Sequence, residues 1–143
     1  MTGIALVSCV KKKGEQPAPA QDLYQSALFL GYRAYAERKA DCWYVLSAAH
    51  GLLRPDQVVT PYDRTLNRML APERRAWARK VQGQLRSVLP PTADVITLAG
   101  TRYREEIEPF LTEQGYAVSV PFRGLGLGEQ LQRLRVYRHG GHD

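Results

Sequence analysis

The run Gly3–Cys9 (GIALVSC) is almost continuously apolar and ends in small residues, the pattern of a strand buried on both faces. A strand covered on both sides needs helices above and below its sheet, and the rest of the chain offers them in alternation with further strands. Cys42–Ala48, Asp94–Ala99 and Tyr116–Pro121 read as the other strands. The first helix is predicted over Leu23–Lys39, with Asp22 as N-cap and Leu23, Ala27, Leu30 and Ala34 on its inner face. Ala71–Leu89 is the second, with Leu70, Trp77, Val81, Leu85 and Val88 on one stripe and Pro90-Pro91 as its stop. Arg102–Gln114, closed by Gly115, and Glu129–Tyr137, with Leu131 and Leu134 inward, complete the set. The expectation is one three-layer α/β/α domain over residues 1–143, its mainly parallel four-stranded sheet centred on Gly3–Cys9, with Arg138–Asp143 as a frayed tail.

The 143 residues can bury a substantial core, since 44% are hydrophobic. Basic residues outnumber acidic ones by 20 to 14, for a net charge of +6. That balance favours an anionic partner, although 15 of the 20 are arginines spread along helices as well as near the first strand. Two cysteines make no disulfide framework or zinc cluster, so a reducing cytoplasm and no metal are expected. No apolar run approaches 18 residues, and the opening segment has its charges after its apolar residues, unlike a secretory signal; no membrane role is expected.

In open parallel sheets ligands bind beyond the carboxyl ends of the strands, which directs attention to the loops after Cys9, Ala48, Ala99 and Pro121. After the first strand come Ser8, Cys9, Lys11, Lys12 and Lys13. A thiol beside three ammonium groups suits a nucleophile, while a buried small side chain followed by a solvated basic loop is the plainer reading. The lysines suit phosphates. Tyr24 and Ser26 reach toward the same crevice. His50 opens the stretch His50–Asp63 (HGLLRPDQVVTPYD), where an imidazole acts as acid, base or structural hydrogen-bonder. Asp63 follows Pro61-Tyr62 and is either a positioned carboxylate or a turn cap. Tyr103 and Phe122 stand at two more strand ends, as base-stacking platforms or as core edges. Gly124, Gly126 and Gly128 in GLGLGEQL permit close backbone approach to a phosphate or sugar, without the spacing of a dinucleotide fingerprint. The chain has no GxSxG, Walker, HExxH or CxxC motif.

The segments SCVKKK, LYQSALF, WYVLSAAHGLLRPDQVVTPYDRTL, LAGTRY and VPFRGLGLGEQLQRL together resemble the small bacterial YaaA-like (peroxide stress protein-like) family of unknown function. HGLLRP and PYD are also similar to the domain that accompanies archaeosine synthase and related transglycosylases, whose fold is uracil-DNA glycosylase-like. This resemblance implies that Ser8, Cys9, Lys13, Tyr24, Ser26, Ser47, His50, Gly51, Tyr62, Asp63, Gly100, Tyr103, Gly124 and Gly128 line one pocket. The water-activating motif and final His-Pro-Ser of uracil-DNA glycosylase itself are missing.

Three functions follow as expectations. The first is an N-glycosylase- or transglycosylase-like enzyme that handles a nucleobase in DNA or RNA, in damage or stress response, using His50, Asp63 and Cys9. It needs no cofactor, and its partner is nucleic acid, DNA ahead of RNA, or a nucleotide. The second is a DNA- or RNA-binding stress protein without chemistry. The third is a small-nucleotide enzyme or sensor built on the glycine loop.

Overall fold

The computed structural model describes residues 3–8, 15–62 and 65–138. Its centre is β1 (Gly3–Ser8), whose Ile4, Ala5, Leu6 and Val7 are all buried. On one side β1 pairs in parallel with β3 (Cys42–Ser47), and on the other with β6 (Asp94–Leu98). β7 (Ala117–Ser119) joins β6 in parallel.

The sheet has five strands, where the sequence suggests four. The fifth is β4 (Gly51–Leu53), antiparallel to β3 with Leu46 opposite Leu52. Gly51, at φ +75°, turns the chain back. Its three residues are too few to show the alternation by which strands are recognised, so the segment reads as a loop. A small second sheet pairs β2 (Ala18–Pro19) with β5 (Val58–Val59). Beside it the Ala20 and Gln21 amides donate to the Gln57 and Pro55 carbonyls at 2.8 and 2.9 Å, tying the segment before the first long helix to the loop after β4.

Those ties help explain a second correction. The predicted helix Leu23–Lys39 is two helices, α1 (Ala20–Leu23) and α2 (Ala27–Lys39), separated by an extended Tyr24. Ser26, not Asp22, is the N-cap of α2, its Oγ accepting from the Phe29 amide at 3.1 Å. The inner face is accordingly Phe29, Tyr32 and Ala36, instead of the stripe through Leu30 and Ala34.

α3 (Ala71–Val88) buries Trp77, Ala78, Val81 and Leu85, whereas Leu70 and Val88 at its ends are exposed. α4 (Thr101–Glu113) buries Tyr103, Ile107, Phe110 and Leu111 and is closed by Gly115 at φ +87°. The last helix, α5 (Leu127–Arg138), begins two residues earlier than expected and buries Leu134 fully. α2 packs on α5, and α3 on α4. The α2–α5 approach depends on Gly31, where a Cβ would lie 2.9 Å from the Leu134 Cβ.

Candidate functional site

The parallel strands stand in the order β3, β1, β6, β7, so the chain leaves β1 toward one edge and then crosses back past it to β6. The two directions part between β1 and β6, which makes the carboxyl ends of these strands the natural ligand crevice. A cleft of about 690 Å³ opens there. Ser8 reaches it from the end of β1; Thr97, Leu98 and Ala99 from β6; Gly100 to Arg104 from the start of α4. Leu28 and Tyr32 of α2, Phe122 and Gly124 after β7, Gln130 of α5, and Thr65 and Asn67 beside the short turn Leu66–Arg68 complete most of the lining.

Aromatic and polar groups have distinct places in this lining. Tyr32 and Phe122 are stacked, with centroids 6.4 Å apart and planes at 29°. The Tyr32 hydroxyl donates to Gln130 Oε1 at 2.5 Å. Burial pushes the Tyr32 phenol up to about 12, against the opposing pull of Arg104, so the phenol keeps its proton at neutral pH. Thr97 is only 1% exposed, and its Oγ1 has no hydrogen-bond partner among the described residues. A hydroxyl left in that state costs about 1–3 kcal/mol, a penalty that a ligand could remove.

Two arginines and no Asp or Glu occur among the described lining residues. Arg104 is folded over the first turn of α4, donating from Nε to the Ala99 carbonyl at 3.1 Å and from Nη2 to Thr101 Oγ1 at 3.3 Å. Arg102 pairs with Glu105 at 3.4 Å on the exposed side. Gly100 is the N-cap of α4, and without a side chain it supplies no capping hydrogen bond to the first-turn amides.

A second cluster lies at the end of β3. Ser47 Oγ donates to the Tyr62 hydroxyl at 2.7 Å and accepts from the His50 amide at 3.1 Å. The Tyr62 hydroxyl is in turn 2.5 Å from that of Tyr24, and the His50 ring stands edge-on to Tyr62 at 5.2 Å. Gly51 is pressed against Gln84, whose Oε1 accepts from the Leu52 amide at 2.9 Å.

The expected single pocket is thus divided. Ser8, Gly100, Tyr103, Phe122 and Gly124 meet at the cleft. Tyr24, Ser47, Tyr62, His50 and Gly51 gather at the β3–β4 turn. His50 is exposed and lines a separate depression with Tyr44, Leu52 and Gln84, while Gly124 follows β7 at the opposite edge of the sheet. The physical reason is β4, which adds a strand on the His50 side and sets that turn away from the crevice. Ser26 is occupied as a helix cap. Gly126 and Gly128 are exposed around the start of α5, outside the cleft lining. Cys9, Lys11, Lys12, Lys13 and Asp63 lie outside the described residues.

Sequence reasoning missed Tyr32, Thr97, Arg102, Arg104 and Gln130 as site residues. Thr97 carries a detectable signal, a hydroxyl inside the otherwise apolar run VITLA. Among the described residues no group of three or more His, Cys, Asp or Glu is placed to hold a metal ion, and no helix is long and apolar enough to cross a membrane.

A sheet of this order with a cleft at its switch point places the protein among α/β proteins, and its sequence narrows that class. Residues 4–136 match a family of unknown function, DUF6884, and the chain belongs to that family. It is also similar to the uncharacterized protein YfjM of Bacillus subtilis (strain 168), with 30% identity over 148 residues, covering 94% of this chain and 93% of that protein. The match extends from β1 into α5, so it takes in every strand of the sheet and every residue named in the cleft.

Proposed function

We propose that this protein handles a nucleobase, seated in the cleft between α2, α4 and the turn after β7, and that its chemistry is cleavage or exchange of an N-glycosidic bond. The observation that carries the reading is the lining itself. Aromatic side chains at Tyr32, Tyr103 and Phe122 accompany a directional amide, that of Gln130, whose Oε1 accepts from the Tyr32 hydroxyl and whose Nε2 donates to the Leu125 carbonyl at 3.0 Å. A planar heterocycle needs this combination: stacking holds its faces, and hydrogen bonds read its edge.

Within this reading the two helix pairs are the outer layers of a three-layer uracil-DNA glycosylase-like α/β/α fold. The likeness of SCVKKK and HGLLRP to YaaA-like and archaeosine-synthase-associated proteins points the same way. Asp63 is the carboxylate that steadies the oxocarbenium-like sugar, and the donor to the departing base comes from the cleft itself, not from His50 in its separate depression. In the sequence Asp63 falls between Tyr62, which touches the His50 ring, and Thr65, which lines the cleft. The basic run Lys11–Lys13 supplies contacts to a nucleic-acid backbone, in a cytoplasmic damage or stress response.

The test is incubation with oligonucleotides and nucleosides carrying normal, oxidised, deaminated and hypermodified bases, with chromatography for free base and scission assays for abasic sites. Released base is expected from at least one substrate. Binding of the same substrates without release across the whole panel would replace the enzyme by a binding protein.

A further inference from the structure

We propose that the N-terminus of α4 is a phosphate subsite of the same cleft, so that the ligand is a nucleotide and not a bare base or nucleoside. This rests on the nucleobase reading for the rest of the ligand, but the phosphate site stands on its own observations.

α4 runs for 13 residues, long enough for its aligned peptide dipoles to leave positive potential at its first turn. Most helices blunt that end with a Ser, Thr, Asp or Asn cap, yet here the N-cap is Gly100, which has no side chain to offer. Its backbone is extended, at φ −69° and ψ 166°, a conformation open to any residue, and a Cβ built there meets nothing within 4 Å. Neither strain nor crowding therefore explains the glycine, and no side chain caps the first-turn amides.

The second observation is Thr97. Three residues earlier on β6, it is buried, lines the same cleft, and holds an Oγ1 with no partner among the described residues. A phosphate oxygen accepts from such a hydroxyl and from first-turn amides together. Arg102 and Arg104 flank the turn, each also paired outside the cleft, with Glu105 at 3.4 Å and Glu108 at 4.0 Å, and among the described residues no Asp or Glu lines the cleft itself. Arg104 is already braced against Ala99 and Thr101, which spares a ligand the cost of ordering it. The phosphate belongs either to a free nucleotide or to a polynucleotide backbone, since both present the same oxygens.

Calorimetric titration of the full chain tests this, using nucleosides, their 5′-monophosphates, short single-stranded oligonucleotides and inorganic phosphate as probes. The expected result is that a phosphate raises affinity at least tenfold over the matching nucleoside. Gly100→Asp, which supplies a competing carboxylate cap, should abolish that gain while leaving thermal stability intact. Thr97→Val, close to isosteric, should lose part of the gain without loss of stability. An oligonucleotide that outcompetes the monophosphate, with the same sensitivity to Gly100→Asp, would support the subsite and assign it to a polymer. Nucleosides that bind as tightly as their monophosphates, with Gly100→Asp silent, would overturn the subsite and leave the nucleobase reading standing. Phosphate that binds with Gly100→Asp sensitivity, but with no contribution from any base, would keep the subsite and remove the nucleobase. No binding of any probe would overturn both.

Discussion

Trp77 Nε1 donates to the carbonyl of Ser47 at 2.8 Å, and the same indole stands edge-on to Tyr103, 5.5 Å between centroids. One side chain of α3 thereby ties the β3 end, where Ser47 holds Tyr62, to an aromatic of the cleft. Trp77→Phe keeps a ring but removes the donor from a residue only 6% exposed, an expected cost of about 1–3 kcal/mol. Thermal unfolding should report it as a fall of several degrees; an unchanged midpoint would mean that water replaces the indole.

Gly31 sets the spacing of α2 and α5. Gly31→Val forces carbon into the space of Leu134, and overpacking of this kind costs roughly 1–3 kcal/mol. Leu134→Ala alone opens a cavity, at about 2–5 kcal/mol. Combined, the two changes should cost less than the sum of the single ones, because each relieves the other. Denaturant melts of the four proteins measure the coupling, and strict additivity would dismiss the contact.

High pH should expose the Tyr32 phenol. Its folded value, raised by burial from 10.0 to about 12, exceeds the unfolded one, so the unfolded chain loses this proton first. Stability is therefore unaffected below about pH 10 and declines between 10 and 12, by roughly 2–3 kcal/mol from this group. Tyr35 and Tyr44, also raised by burial, act in the same direction. Tyr32→Phe should flatten the decline, and an equally steep profile in that variant would locate the effect elsewhere.

Replacing Lys11, Lys12 and Lys13 together by Ala tests their role in nucleic-acid binding. If all three contact duplex phosphates, the log–log salt dependence of affinity should lose about 0.9 per lysine. A slope that does not move would exclude them from the interface.

Asp63→Asn should reduce base release by about 10²-fold or more while substrate binding persists, whereas His50→Ala, in its separate depression, should leave the rate unchanged. Single-turnover rates at saturating protein separate these effects. A rate untouched by Asp63→Asn would retain the enzyme and discard this carboxylate.

The central strand, the parallel partners and helices α3 and α4 were legible because their apolar runs and stripes are long enough to carry a period. β4 was not, since its short Gly-Leu-Leu run reads equally well as loop, and its presence moved His50 away from Gly124. The start of α2 was misplaced because Asp22 and Ser26 are both good caps in isolation. Tertiary hydrogen bonds to Pro55 and Gln57 hold α1 apart, and no local rule anticipates them. The strand-end rule found the cleft and its Ser8, Gly100, Tyr103, Phe122 and Gly124. It could not find Tyr32 or Gln130, which arrive from the middle of one helix and the first turn of another.

Gln84 has a bearing on how the chain behaves in a crowd. β4 is the outermost strand on its side, and an unclaimed strand margin invites a stranger's backbone to zip onto it. Here the Leu52 amide is already claimed by a side chain of α3, and the strand ends after three residues. The fold thus carries its own stopper on that flank: a strand from a neighbouring copy would first have to displace the Gln84 side chain before it could add a rung at Leu52.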